Sequence, residues 1–211
     1  PQSFYYFHGF AQLIKKLTPG NLIFSVPSGN LGNLTAGLFA KRMGLPVKRF
    51  LAANNRNDVF FKYLNSGEYQ PRPSVQTVAN AMDVGSPSNF DRILDLYGGS
   101  YKAISKDITG FSYNDDQITD AIRRVYIESG YLLDPHSACS YLALKENKKS
   151  GETGVFLATA HPAKFKDTVE KCIDSEIDIP AGLAKFSGKQ KHSYPIANDF
   201  NIFKKALINL T

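Results

Sequence analysis

The stretch that most limits what this chain can fold into is Val26–Met43, VPSGNLGNLTAGLFAKRM. Leu22, Ile23, Phe24 and Val26 read as a buried strand, and Leu34, Leu38, Phe39 and Met43 recur at helical spacing. Between them lies a turn with glycines at 29 and 32 and asparagines at 30 and 33. A chain that passes from buried strand through such a turn into a helix exposes the first free N–H groups of that helix at the positive end of its dipole. The glycines leave the neighbouring backbone unshielded. This is the layout of an anion cradle, and a phosphate is its natural occupant. The same residues also suit a plain strand-to-helix turn tightened by glycine, with Asn33 as the cap. GxxxxGK[ST] is absent, and so is G-x-G-x-x-G with a later acidic residue, because the next strand ends Ala52-Ala53-Asn54-Asn55. Dinucleotide binding is not expected.

The rest of the chain fits an alternation of strands and helices. A helix over Ser3–Leu17 carries Phe4, Phe7, Phe10, Leu13, Ile14 and Leu17 on one stripe, and Thr18-Pro19-Gly20 ends it. Gly44 and Pro46 stop the helix after the turn. Val47–Ala53 reads as a second strand, followed by an asparagine-rich bend, 54–58, and a helix through Leu64. Between Ser66 and Ser88 the pattern is broken by Gly67, Pro71, Pro73, Gly85 and Pro87, with a short regular piece at most around Val75–Met82. A loop of this length in a compact domain is usually functional, so it is expected near a ligand. A short helix covers Asn89–Leu96. Asn114 or Asp115 caps an amphipathic helix carrying Ile118, Ile122, Val125, Tyr126 and Ser129, and Asp134-Pro135 opens another that runs to about Glu146. Gly154–Thr159 reads as a third strand, with a helix from Pro162. A basic segment follows Pro180 and ends in an amphipathic helix, Asp199–Leu210, expected to pack on the domain's side. Strands separated by helices at this spacing imply parallel pairing and a doubly wound α/β sheet.

Composition narrows the function classes. The 43% hydrophobic and 21% charged residues are those of an ordinary globular protein. No uncharged apolar run reaches the ~20 residues needed to cross a bilayer, and no signal pattern is present, so a soluble protein is expected. The first residue is Pro1, and a helix pattern starts almost at once, which points to a piece of a longer chain. Cys139 and Cys172 show no metal or redox spacing and are expected to be reduced, buried thiols. The net charge of +6 comes from pairs of basic residues and two runs, Lys145–Lys149 and Lys185–Lys191, that read as solvated surface. Such a balance suits a phosphorylated small molecule as well as nucleic acid.

Thr159-Ala160-His161-Pro162 lies at the carboxyl end of the third strand. Ligands of open parallel sheets lie outside the carboxyl ends of strands, so Thr159 and the 28–33 turn can meet in one crevice. His161 before a proline at a helix start reads as a cap, and His136 as structural. Asp58 and Asp83 sit in loops with no assigned role. No hydrolytic triad or metal cluster is visible in the sequence.

Four blocks, VPSGNLGNLTAGLFAKRMGLP, PRPSVQTVANAMDVGSPSNFDRI, SGYLLDPHSACSYLAL and LATAHPAKF, closely resemble, in order, the carboxyl-terminal half of the threonine synthase family. These are pyridoxal-phosphate enzymes of the tryptophan-synthase-like fold, fold type II. KHSYP and the last helix also look similar, so the resemblance covers nearly the whole chain. It implies that residues 1–179 are the second half of the cofactor-binding large domain and that 180–211 are a basic segment with a packing helix. It implies that Gly29, Asn30, Leu31, Gly32 and Asn33 bind the 5′-phosphate of pyridoxal phosphate through N–H groups, helped by the asparagine amides. Leu31 stands where a phenylalanine is common. Thr159 would meet the pyridine nitrogen with its hydroxyl, and a neutral partner leaves that nitrogen mostly unprotonated.

The implied reaction converts O-phospho-L-homoserine and water into L-threonine and phosphate, by γ-elimination and then addition of water at the β carbon. The lysine that holds the cofactor as a Schiff base belongs to the amino-terminal half of the family and is not among these 211 residues. The asparagine, serine and arginine motif for the substrate phosphate also belongs there, so the chain alone is expected to be inactive. Cys139-Ser140 departs from the usual small pair, valine and glycine, and affects helix packing more than chemistry. A cytoplasmic enzyme with no nucleic-acid or membrane partner is expected. The alternative is a stand-alone phosphate-binding or regulatory module that kept the cradle.

Overall fold

Leu22–Pro27 forms β1, and all six of its residues are buried. A strand buried on both faces needs parallel neighbours and layers above and below. The computed structural model describes residues 1–16, 20–190 and 192–210. Its sheet has four parallel strands in the order β3-β2-β1-β4, with β2 at Val47–Asn54, β3 at Ile108–Ser112 and β4 at Thr153–Phe156. Pro27 is opposite Ala53 in β2, and Ser25 is opposite Phe156 in β4.

Helices cover both faces, as expected for a doubly wound sheet. On one face Phe24, Val26, Phe50 and Ala52 meet Tyr6 of α1 (Phe4–Leu13), Leu34 and Leu38 of α2 (Gly32–Arg42) and Phe60 of α3 (Val59–Ser66). Phe90 and Ile93 of α4 (Phe90–Leu96) and Ile104 of α5 (Tyr101–Asp107) complete that layer. On the other face Ile23, Leu51 and Ala53 meet Ile118 and Ile122 of α6 (Asp115–Ser129), Cys139 and Leu142 of α7 (Pro135–Asn147) and Val169 of α8 (Lys166–Ile173). Both cysteines are free and buried.

The caps follow the sequence. Asn114 and Gln117 form a reciprocal capping box on α6. Asp134 accepts the N–H groups of His136 and Ser137 at the start of α7, with Pro135 in the first turn. Ser140, at the unusual Cys139-Ser140 pair, donates to the carbonyls of Ser137 and Leu157, and Ser25 donates to the carbonyl of Ser140. The Ser140 hydroxyl therefore ties α7 to the segment after β4, while the bond from Ser25 of β1 uses only the main chain of α7.

Several expectations need correcting. The helix at the start is shorter, with a 3-10 turn at Ile14–Lys16, and its buried residue is Tyr6, whereas Phe4 is 75% exposed. Leu17, Thr18, Pro19 and Lys191 lie outside the described residues. The third strand stops at Phe156, so Leu157–Thr159 continue as an irregular segment. Pro162–Phe165 is a 3-10 turn before α8. In the 66–88 stretch only Asn80–Met82 is regular. The chain divides into two compact units, Pro1–Ile177 and Asp178–Thr211; the second contains α9 (Ala181–Ser187) and α10 (Phe200–Leu210). Among the described residues no helix is long and apolar enough to cross a membrane.

Candidate functional site

The sheet order reverses at β1: the chain leaves β1 toward β2 on one side, while β4 joins on the other. The connection after β1 enters α2 on one face, and the connection after β4 leads to α8 on the opposite face. The two exits diverge and leave a crevice at the carboxyl ends of adjacent strands, where ligands of open α/β sheets bind. The Leu157 N–H donates to the Ser25 carbonyl at 3.0 Å, so the segment leading to Thr159 runs beside the one leading to Gly29. The crevice has a volume of about 650 Å3, which suits a small-molecule site.

All six cofactor candidates from the sequence, Gly29, Asn30, Leu31, Gly32, Asn33 and Thr159, line this one crevice. The turn is built from strained and braced backbone. Leu31 adopts φ 61°, the left-handed region a branched side chain seldom enters, and its own side chain is 2% exposed in the core. No side chain caps α2. The first main-chain bond at this end runs from the Thr35 N–H to the Leu31 carbonyl, so the preceding helical N–H groups are free for an anion.

The amides are oriented by their oxygens. Asn30 Oδ1 accepts from the Ser88 N–H at 2.6 Å and from the Ser88 hydroxyl at 3.0 Å. Asn33 Oδ1 accepts from the Tyr6 hydroxyl at 2.7 Å. With the oxygens engaged, each NH2 remains a donor. Gly29 and Gly32 serve different ends. A Cβ on Gly29 would lie 2.6 Å from Met82 Cα, so that glycine admits the 66–88 loop, not a ligand. A Cβ on Gly32 would meet nothing closer than Asn89 Nδ2 at 3.5 Å. The Thr159 side chain is exposed to the crevice with no hydrogen bond among the described residues. An uncapped helix end, two amide donors and a free hydroxyl across one crevice fit a phosphate-bearing ring such as pyridoxal phosphate.

The loop is held by a buried polar network. Asn55 and Asn57 donate to Asp83 Oδ1 at 2.8 and 3.0 Å, and the Thr77 hydroxyl donates to the same oxygen at 2.7 Å. This gives Asp83 a structural role and sets Ala81 and Met82 against the crevice. Asp58 pairs with Arg72 at 2.6 Å and Lys62 at 3.2 Å. His161 Nδ1 accepts the Ala163 N–H at 3.1 Å, a cap as expected.

Two residues were not anticipated here: His136 and Lys164 both line the crevice. His136 is 4% exposed, with Nδ1 3.6 Å from Asp134 Oδ1 and Nε2 without a partner among the described residues. Burial lowers its pKa below 6.5, the Asp134 carboxylate opposes that, and the Lys164 ammonium adds to the lowering. DPH alone reads as a capped helix start, and AKF as helix surface. Only the tertiary meeting of α7 with the segment after β4 shows that both reach the site.

Residues 9–159 match the model of the family described as "Pyridoxal-phosphate dependent enzyme", and residues 137–207 match "Threonine synthase, C-terminal". The threonine synthase of Escherichia coli strain K12 is 42% identical over 205 residues, which cover 97% of this chain and 47% of that protein. A crystal structure of threonine synthase from E. coli superposes with TM-score 0.88 at 40% identity, covering all of this chain and 48% of that one. A structure described as pyridoxal-phosphate-bound threonine synthase from Brucella melitensis superposes with TM-score 0.83 at 31% identity, over 99% and 50%. The chain spans about half the length of the curated relatives it matches.

Proposed function

The chain belongs to the pyridoxal-phosphate dependent enzymes, and from that membership we propose that it is the carboxyl-terminal part of a threonine synthase. The whole protein would convert O-phospho-L-homoserine and water into L-threonine and phosphate. The observation that carries this reading is the single crevice in which the uncapped end of α2 and the Thr159 hydroxyl face each other. No observation favours a stand-alone phosphate-binding module.

In this reading the N–H groups at the start of α2 and the amides of Asn30 and Asn33 hold the cofactor's phosphate, and Gly29, Leu31 and Gly32 shape the turn. Thr159 donates its hydroxyl to the ring nitrogen and leaves it without a formal charge. When bound, the cofactor supplies the electron sink that makes protons next to the substrate's amino carbon removable. Ala81 and Met82 form one side of the crevice. The lysine that binds the cofactor covalently and moves those protons is supplied by the other half of the protein. Residues 1–179 complete the cofactor domain, and 180–211 form the basic segment with its packing helix. We place the enzyme in the cytoplasm, with a small-molecule substrate and neither nucleic acid nor membrane as partner.

The test uses the full-length protein loaded with pyridoxal phosphate. Bound-cofactor absorbance and phosphate release from phosphohomoserine are both expected. Cofactor binding without phosphate release sinks the threonine assignment and spares the fold.

A further inference from the structure

β4 ends at Phe156, and the chain reaches Thr159 through an irregular segment. Among the described residues Ala158, Thr159 and Ala160 make no hydrogen bond of their own, and the next ones belong to the turn at His161. Leu157 is therefore the last point before Thr159 that hydrogen bonds hold. A closed ring of three holds it: the Ser25 hydroxyl donates to the Ser140 carbonyl at 2.7 Å, the Ser140 hydroxyl to the Leu157 carbonyl at 3.2 Å, and the Leu157 N–H to the Ser25 carbonyl at 3.0 Å. Ser25 and Ser140 are fully buried, and Leu157 lines the crevice. The ring joins β1, α7 and the segment after β4 beside the site. The Ser140 hydroxyl also reaches the Ser137 carbonyl at 2.9 Å, one turn back in α7. Among the described residues it is the only donor to the Leu157 carbonyl. A carbonyl that loses its partner turns toward water.

We propose that Ser140 is a positioning residue for Thr159: its hydroxyl fixes the peptide after Leu157 and with it the level at which the Thr159 hydroxyl meets the cofactor's ring nitrogen. The inference rests on the function proposed above, in which Thr159 makes that contact. The Leu157 carbonyl shares one plane with the Cα of Ala158, so its direction sets where Ala158 and then Thr159 lie. A hydrogen bond from a hydroxyl weakens when its length or angle departs from a narrow range, so a small turn of this segment is felt at the ring. Ser140 belongs to the pair that departs from the usual valine and glycine, and a glycine there would offer the Leu157 carbonyl no donor.

The experiment is a double-mutant cycle on the full-length protein, read by pyridoxal-phosphate affinity and by the nitrogen-15 resonance of a ring-labelled cofactor. Ser140→Ala removes one oxygen and leaves a good helix former, so the variant folds. It is expected to weaken cofactor binding by about threefold to tenfold, and Thr159→Val by about tenfold. In the Thr159→Val background, Ser140→Ala is expected to change affinity by less than about twofold, because the group it positions is gone. The nitrogen resonance moves in Ser140→Ala in the same direction as in Thr159→Val. Tyr113→Phe, which removes a hydrogen bond to Glu146 near the far end of α7, serves as the control for lost stability and keeps cofactor affinity within about twofold of wild type. Wild-type affinity and resonance in Ser140→Ala, with both altered in Thr159→Val, overturn the positioning role and spare Thr159. Additive losses in the double variant overturn it too, as does an equal loss of affinity in Tyr113→Phe. Thr159→Val without effect on either measurement removes the contact at the ring nitrogen itself, and the positioning role with it.

Discussion

The Tyr6 hydroxyl lies 2.7 Å from Oδ1 of Asn33 and 2.9 Å from its main-chain carbonyl. Tyr6 is fully buried, with its ring edge-on to Phe24 at 4.9 Å, so the core on that face sets the direction of an amide in the cradle. Tyr6→Phe keeps the ring packing and removes the donor. The expected cost is about 1 kcal/mol of stability, with cofactor affinity of the full-length protein weakened roughly three- to tenfold as Asn33 turns. Thermal unfolding and a cofactor titration read the two effects separately. Wild-type cofactor affinity in the variant would show that Asn33 does not hold the phosphate.

Gly29 and Gly32 separate the structural from the binding demands of one turn. Alanine at 29 drives its Cβ to 2.6 Å from Met82 Cα, a backbone atom that cannot swing aside. Gly29→Ala is expected to cost roughly 1–3 kcal/mol and to displace the Asn80–Met82 turn. Gly32→Ala meets only side-chain ends, at 3.5 and 3.8 Å, and is expected to stay within about 0.5 kcal/mol of wild type while weakening cofactor binding severalfold. Unfolding curves that rank the two variants the other way round would contradict this division.

The cradle was legible in the sequence because strand, turn and helix are contiguous there, and local pattern suffices. The placing of Thr159 beside that turn was legible from the strand before it, although β4 stops at Phe156, short of the expected end. β3 was not: its ITGFS is short, and its Gly110 fits a wall where a Cβ would lie 2.9 Å from Leu64 Cδ1. That requirement is set by a helix more than forty residues upstream. The stripe read for α1 held in part: Phe7, Phe10 and Leu13 pack against the core, whereas Phe4 and Ile14 are exposed and the fully buried residue is Tyr6, its hydroxyl satisfied by Asn33. Asn55 and Asp83 lie 28 positions apart, so their shared network leaves no local trace.

Glu152 gives an acid-side test of the sheet edge. Its side chain is 1% exposed and is held by Arg49 at 2.9 Å and Lys48 at 3.2 Å. The Arg49 guanidinium, aided by the Lys149 N–H and Lys48, lowers its pKa from 4.5 to about 2. A depressed carboxylate binds fewer protons in the folded than in the unfolded state. Its contribution is therefore complete above pH 4.5 and is lost as pH falls through about 2. Glu152→Gln is expected to be less stable at neutral pH, with the gap to wild type narrowing between those values. Denaturant unfolding at several pH values measures it, and a constant gap would assign the loss to packing instead.

His136 reports the charge of Lys164 directly. Its imidazole is buried against Phe165, with Asp134, the Ala79 carbonyl and Asp83 favouring protonation. Burial and Lys164 oppose these and win, so the ring titrates below 6.5. Because the folded state binds the proton less well than the unfolded state, the stabilisation from His136 is complete above pH 6.5 and declines as pH falls below it. Removing the ammonium with Lys164→Gln is expected to raise the His136 pKa. The chain has four histidines, so the Cε1–H resonance of His136 can be followed by NMR once assigned through His136→Gln. An unchanged titration in Lys164→Gln would mean that the ammonium does not act on the imidazole, leaving burial alone to lower its pKa.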